Sequence, residues 1–327
     1  MPSLAWLAVT GSIDVVVPAY NHWDLTVSCL QHLSAQTVAH RVIVVDNGSS
    51  DETRAMLERD WPHVSVVALD YNHPFTQAVN RGVGAGEGDY VVLLNNDVDL
   101  RPDCLEHLAG PLDRDSRVGS VATVLLQSGE RAIDSVGVTA DVTLAGFPRH
   151  QGRAPEHASD PQPLLTGPEG TAAAYRRYAW EQVGGLDESI DAYMEILDLA
   201  LRLRQAGWAS ACALDAVGVH LGSATFGRGS DRQRRLAGFS RGYLLRRYGV
   251  LHGRFAPRTL LTEMLVVSAD ALLAHDLLAL RSRIAGWRAA GGMEQHPRPP
   301  AEAIDGAISL RDSLELRRGR GRRRAGV

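Results

Sequence analysis

Four short, nearly unbroken apolar runs occupy the first hundred positions: residues 13–17 (IDVVV), 41–45 (RVIVV), 64–69 (VSVVAL) and 90–94 (YVVLL). Runs rich in β-branched residues, without polar alternation, are strands covered on both faces, the habit of parallel sheets. Parallel neighbours need a crossover, and the helix-length segments 23–35, 51–59 and 75–86 supply one after each of the first three runs. With right-handed crossovers the expected product is an open, doubly wound α/β sheet. Ligands of such sheets bind outside the carboxyl ends of the strands. The segments that close three of the runs, VVVPAYN, VVDNGSSD and LLNNDVD, should therefore converge on one crevice.

Composition narrows the chemistry. A chain of 327 residues, 45% hydrophobic, buries one large core or a core with an appendage. Its net charge of −4 creates no global basic field, so no specific nucleic-acid partner is expected. Cys29, Cys104 and Cys212 lie far apart without paired spacing, which argues against a zinc knuckle, a redox CxxC and a disulfide framework. The chain has no lysine, and all 34 cationic side chains are arginine. P-loop, protein-kinase and Schiff-base chemistries, which need that amine, are thereby excluded. No GxGxxG follows the first strand, so a dinucleotide fingerprint is missing too. The opening MPSLAWLAVTGSID lacks the basic region of a secretory signal, and a cytoplasmic location is expected.

From about Asp103 the pattern loosens into mixed strand and loop segments, and Gly- and Pro-rich punctuation through 146–170 is expected to form a loop region facing a ligand. Helical order returns at 178–183 and 195–206, with Leu197, Leu201 and Leu203 on a buried face and Gly207 as carboxyl cap. Three regions are expected: a catalytic domain over 1–226, a helical extension over 227–310, and a disordered Arg-rich tail over 311–327. Residues 259–290 are too polar to span a bilayer but can lie on a membrane surface, and the Arg-rich tail either meets an anionic surface with them or is a solvated tail without a partner.

Among the residues themselves, Asp46 closes the second run and is placed to accept hydrogen bonds from a ribose or a base. Ser49 and Glu52 fit a capping box at the following helix. Asp97 at the end of the fourth run suits Mg²⁺ or Mn²⁺, which take a few protein oxygens together with substrate phosphates. An alternative is that Asp97 and Asp99 merely form a turn.

In their order along the chain these segments resemble the family 2 glycosyltransferases of the GT-A fold, over roughly residues 12–226, and among them the bacterial rhamnosyltransferase-like members. VVVPAYN resembles the family's opening strand, VVDNGSSD its nucleotide-contacting loop, and NND its variant of the DxD metal motif. GTAAAYRRYAWEQVGGLDE resembles its acceptor-side segment, DLALRLRQAGW the helix after its ED motif, and VGVHLGSATFG its late histidine region. The resemblance implies a Rossmann-like α/β fold, an open, mostly parallel sheet with flanking helices, here with a C-terminal helical extension. It implies a nucleotide-sugar site formed by Pro18, Tyr20, Asn21, Asp46, Asn47, Ser49, Asn80 and Asn96, with Asp97 and His220 holding Mg²⁺ or Mn²⁺. The implied activity is inverting transfer of a sugar from a nucleoside diphosphate donor, UDP or dTDP. The acceptor is a hydroxyl on a glycan, a lipid-linked intermediate or a small molecule, at the inner face of the cell membrane.

The chain departs from the family at two places. The family's general base is an Asp directly after a Glu, whereas here Glu195 precedes Ile196. One position turns a helical side chain by about 100°, which sets Glu195 off the family's base position. Glu195 is still the first candidate base, because a carboxylate in a partly dry cleft is suited to proton abstraction, with Asp198 and Asp191 behind it. The alternative is a nucleotide-sugar-binding protein that lost turnover with that Asp. Pro74 stands where the family more often has glycine.

Overall fold

A computed structural model of the chain describes residues 9–222 and 230–317. Its first half alternates β1 (Ile13–Ala19), α1 (Trp23–Ser34), β2 (Arg41–Asp46), α2 (Thr53–Asp60), β3 (Ser65–Ala68), α3 (Phe75–Gly84) and β4 (Tyr90–Leu94). All four strands pair in parallel, in the order β3-β2-β1-β4, and each matches one of the apolar runs. Val15, Val16 and Val17 are wholly buried because helices cover both faces of the sheet.

After β4 come β5 (Val98–Leu100), α4 (Cys104–Arg114), β6 (Val118–Gln127), β7 (Ile133–Ser135), β8 (Val138–Ala140) and β9 (Gly146–Pro148). Then follow β10 (Ala172–Arg176), α5 (Arg177–Gln182), α6 (Glu195–Gln205) and β11 (Ala209–His220). This region is more regular than its sequence pattern. The sheet continues β4-β10-β6-β11-β5, with β10 antiparallel to both its neighbours, and β7 pairs with β6. The alanine-rich β10 has little strand propensity of its own. Pairing on both edges makes it a strand, and Ala172, Ala173 and Ala174 are all but fully buried.

The C-terminal part forms α7 (Asp231–Arg247), α8 (Ala256–Ala274), α9 (Leu278–Ala289) and α10 (Leu310–Arg317). It shares a core with what precedes it: Ile190, Leu197 and Leu201 pack with Tyr243, Leu244 and Tyr248. Arg241, 2% exposed, bonds the Leu144 and Thr143 carbonyls and the Glu263 carboxylate. Helix α10 corrects the expected tail, since residues 311–317 are helical and Arg317 pairs with Glu263 at 3.2 Å. The rest of that tail, and the 226/227 boundary, lie outside the described residues. Burial pushes the Cys29 and Cys104 thiols up, as for small core hydrophobes, and Cys212 is half-buried.

Candidate functional site

The carboxyl ends of β1, β2 and β4 open onto a cleft of about 490 Å³, ample for a nucleotide-sized ligand. Pro18 and Tyr20 reach it from β1, Asn47 from β2, and Asn96 and Asp97 from β4. His220 comes from the end of β11, and Asp191 and Glu195 come from the start of α6 and the loop before it. The antiparallel pairing of β5 with β11 sets His220 opposite Val98, which brings the imidazole to Asp97.

The imidazole lies between two carboxylates. Its Nε2 is 3.2 Å from Asp97 Oδ2, and its Nδ1 is 2.8 Å from Asp134 Oδ2. Burial lowers the ring's pKa, but the two carboxylates outweigh that and push it to about 10. Asp97 Oδ1 is buried without a hydrogen-bond partner among the described residues. These atoms fit a small divalent cation. Mg²⁺ or Mn²⁺ takes one or two protein ligands and leaves the rest to water and phosphate, and an unsatisfied carboxylate oxygen beside an imidazole offers that set once Nε2 is free of its proton. The described residues contain no ready cage of three or more ligating side chains.

Glu195 faces the same cleft. Burial raises its carboxyl to about 7, and the neighbouring Glu169, Asp191 and Asp198 charges add to the rise. Its Oε2 has no hydrogen-bond partner among the described residues. Ile196, in the family's position for Asp, is 7% exposed and packs on Gly170, where a Cβ would come within 2.5 Å of its Cγ1. Glu169, next to that glycine, also lines the cleft, and burial raises its pKa against the opposing hydrogen bonds from Thr171.

Several expected site residues are engaged elsewhere. Asp198 is wholly buried away from the cleft, paired with Arg202 at 2.7 Å and accepting the Tyr248 hydroxyl at 2.8 Å, so it is no candidate base. Asn80 does not reach the nucleotide side. Its amide donates to the Leu186 carbonyl and accepts from the Leu186 N–H, tying α3 to the loop before α6. Asp46, 1% exposed, accepts the Ser49 N–H and lies outside the cleft lining. Asn21 and Ser49 also lie outside it, bonded to each other's loops: Ser49 Oγ accepts the Asn21 N–H and Asn21 Oδ1 accepts the Ser50 N–H. The capping box is not formed, and Asp51 Oδ1 accepts the Thr53 N–H instead. Asn47 does line the cleft, but its amide clasps the His73 backbone from both sides. Asn96 donates to Thr26 Oγ1. Pro74 fits as the cap residue of α3, at φ −48°.

Sequence reasoning missed Asp134, which reaches the site through His220, and the cleft residues Glu169, Asn72 and His73, as well as Arg232 and Gln233 from α7. For Glu169 a signal existed, a lone acid in GPEG at the mouth of an apolar run. Asp134 carries no such mark.

The family model described as glycosyl transferase family 2 matches residues 14–184. An N-acetylglucosaminyl-diphospho-decaprenol L-rhamnosyltransferase of Mycobacterium tuberculosis is 27% identical over 245 residues, 67% of this chain and 79% of its own. The O-antigen biosynthesis protein RfbC of Myxococcus xanthus is 30% identical over 231 residues, 66% of this chain but 18% of its own. A Pyrobaculum calidifontis mannosyltransferase solved with GDP-Man and Mn²⁺ superposes with a TM-score of 0.53 at 19% identity, covering 95% of this chain and 84% of that one. GalNAc-T7 solved with UDP, GalNAc and Mn²⁺ gives 0.59 at 12% identity, covering 77% and 50%. These structural likenesses establish the fold as GT-A.

Proposed function

The chain belongs to glycosyl transferase family 2, and from that premise we propose that it is an inverting, metal-dependent transferase moving a hexose or deoxyhexose from a UDP- or dTDP-linked donor. The proposed acceptor is a hydroxyl of a lipid-linked glycan, in keeping with the diphospho-decaprenol substrate named for the mycobacterial relative. Its work then lies at the inner face of the cell membrane. The observation that carries the reading is the placement of Asp97, His220 and Glu195 around one cleft.

In this reading Asp97 and His220 hold Mg²⁺ or Mn²⁺, which supplies neutralisation of charge on the departing diphosphate. Pro18 and Tyr20 wall the nucleotide side, and Asn96 lies beside the diphosphate. Glu195 takes the proton of the acceptor hydroxyl as that oxygen bonds to the anomeric carbon. The bond to the diphosphate breaks on the opposite face, and the diphosphate keeps the electron pair. A carboxyl raised to about 7 is half ionised near neutrality and basic enough to assist that transfer. Glu169 keeps Glu195 basic by its charge, and Asp191 stands second as a base. No observation favours the binding-only alternative, because a cleft-facing carboxylate stands one position from Ile196.

The test is thermal unfolding against a panel of nucleoside diphosphate sugars with and without Mn²⁺, with released nucleoside diphosphate assayed in the same samples. A metal-dependent shift with one donor and slow sugar release supports the reading. No shift with any donor refutes the site.

A further inference from the structure

The outer face of the α8–α9 hairpin is apolar where a water-facing surface would be charged. Met264 is 61% exposed, Leu260 51% and Leu277 50%, and Leu272 and Leu273 at the apex reach 76% and 84%. The apolar strip continues along α9 through Leu280 and Ile284. Isolated exposed leucines are ordinary, but a contiguous strip along a hairpin marks an interaction surface.

The charges of the hairpin are sorted by side. Residues 256–289 contain three acids, Glu263, Asp270 and Asp276, and all three are held by arginines. Glu263 pairs with Arg241 at 2.8 Å, Arg283 at 2.9 Å and Arg317 at 3.2 Å. Asp270 and Asp276 pair with Arg234 at 2.7 and 2.6 Å. Arg281 and Arg288 of α9 are exposed. The chain then passes from Arg317, docked on Glu263 of α8, into a sequence with five further arginines. No described helix is long and apolar enough to cross a membrane.

From this sorting we infer that the α8–α9 hairpin is a docking surface for an anionic lipid bilayer, with the Leu272–Leu273 apex entering the headgroup region and the arginines meeting lipid phosphates. An apolar strip edged by cations is the physical signature of a helix lying in the membrane interface. A second copy of this chain fits less well. A symmetric contact through this face would set arginines against arginines, with no acid of the hairpin left to answer them. The inference takes its purpose from the lipid-linked acceptor proposed above, but its test does not depend on that acceptor.

The experiment is co-sedimentation of the full chain with neutral phosphatidylcholine vesicles and with vesicles carrying about 30 mol% phosphatidylglycerol. Wild-type protein should pellet with the anionic vesicles at low salt and be released as salt rises. The Leu272→Glu/Leu273→Glu variant should lose about tenfold or more of its partitioning, whereas Leu214→Glu, an exposed leucine on β11, should pellet as wild type does. Both variants change exposed side chains, and unchanged melting curves would establish that they fold. Donor hydrolysis without vesicles should be unaffected in the double variant, so failure of catalysis and failure of docking are read separately. Equal pelleting of the double variant and wild type overturns the inference. So does a wild-type chain that ignores anionic vesicles, or one that self-associates through the apex without pelleting.

Discussion

Replacing Glu195 with glutamine should make the protein more stable at alkaline pH while removing its activity. The carboxyl is raised from the ordinary 4.5 to about 7, chiefly by burial, so between those values the folded protein holds a proton that the unfolded chain has released. Stability therefore falls as pH climbs through this window, and the deficit is complete above the folded value. At about 1.4 kcal/mol for each pH unit, the displacement sets an upper bound of about 3 kcal/mol, reduced to the extent that the cleft is wet. Glu195→Gln keeps the shape and never ionises. It should match wild type in urea unfolding at pH 4.5 and exceed it by about 1–3 kcal/mol at pH 8.5. Turnover of the wild type should rise with pH through an apparent value near 7, and the variant should lose about 10²- to 10⁴-fold. A variant no more stable than wild type at pH 8.5, or a wild-type acid limb near 4.5, would refute the reasoning.

Asp97→Ala should abolish metal-dependent stabilisation by donor, a loss of about 2.7 kcal/mol at a ligand concentration 100 times its dissociation constant, and without metal it should itself melt below wild type, because His220 loses one of the two carboxylates that hold its proton. Mn²⁺ binding, followed by calorimetry, should tighten from pH 6 to pH 8, because the His220 ring, held near 10 between two carboxylates, must release a proton to ligate. Asp198→Ala should cost about 3–5 kcal/mol in denaturant unfolding by leaving Arg202 buried and unpaired; an equally large selective loss of kcat in folded protein would restore Asp198 as a base. Gly48→Ala should cost about 2 kcal/mol or more, since φ is +75° and a Cβ would lie 2.4 Å from the Tyr71 carbonyl carbon.

The sequence by itself determined the first half of the sheet. Val15 to Val17, Ile43 to Val45 and Val91 to Leu94 are apolar on every side, and only a strand covered on both faces accommodates such runs. It also sent Pro18, Asp46 and Asp97 to one edge, because strand ends of a parallel sheet share an edge whatever the loops do, although only Pro18 and Asp97 of the three line the cleft. The tertiary structure decided the rest. The alanines of β10 are a strand only because β4 and β6 pair with both its edges. Asp134 meets His220 only because short β7 pairs with β6 beside β11. Asp198 and Asn80 look like site residues in the sequence, but Arg202 and Tyr248 claim the one and Leu186 the other. Periodicity is written locally, residue by residue, and survives without its neighbours. The direction of a polar side chain depends on partners far along the chain, 123 positions away for His220 and Asp97, and those meet only when the chain is packed.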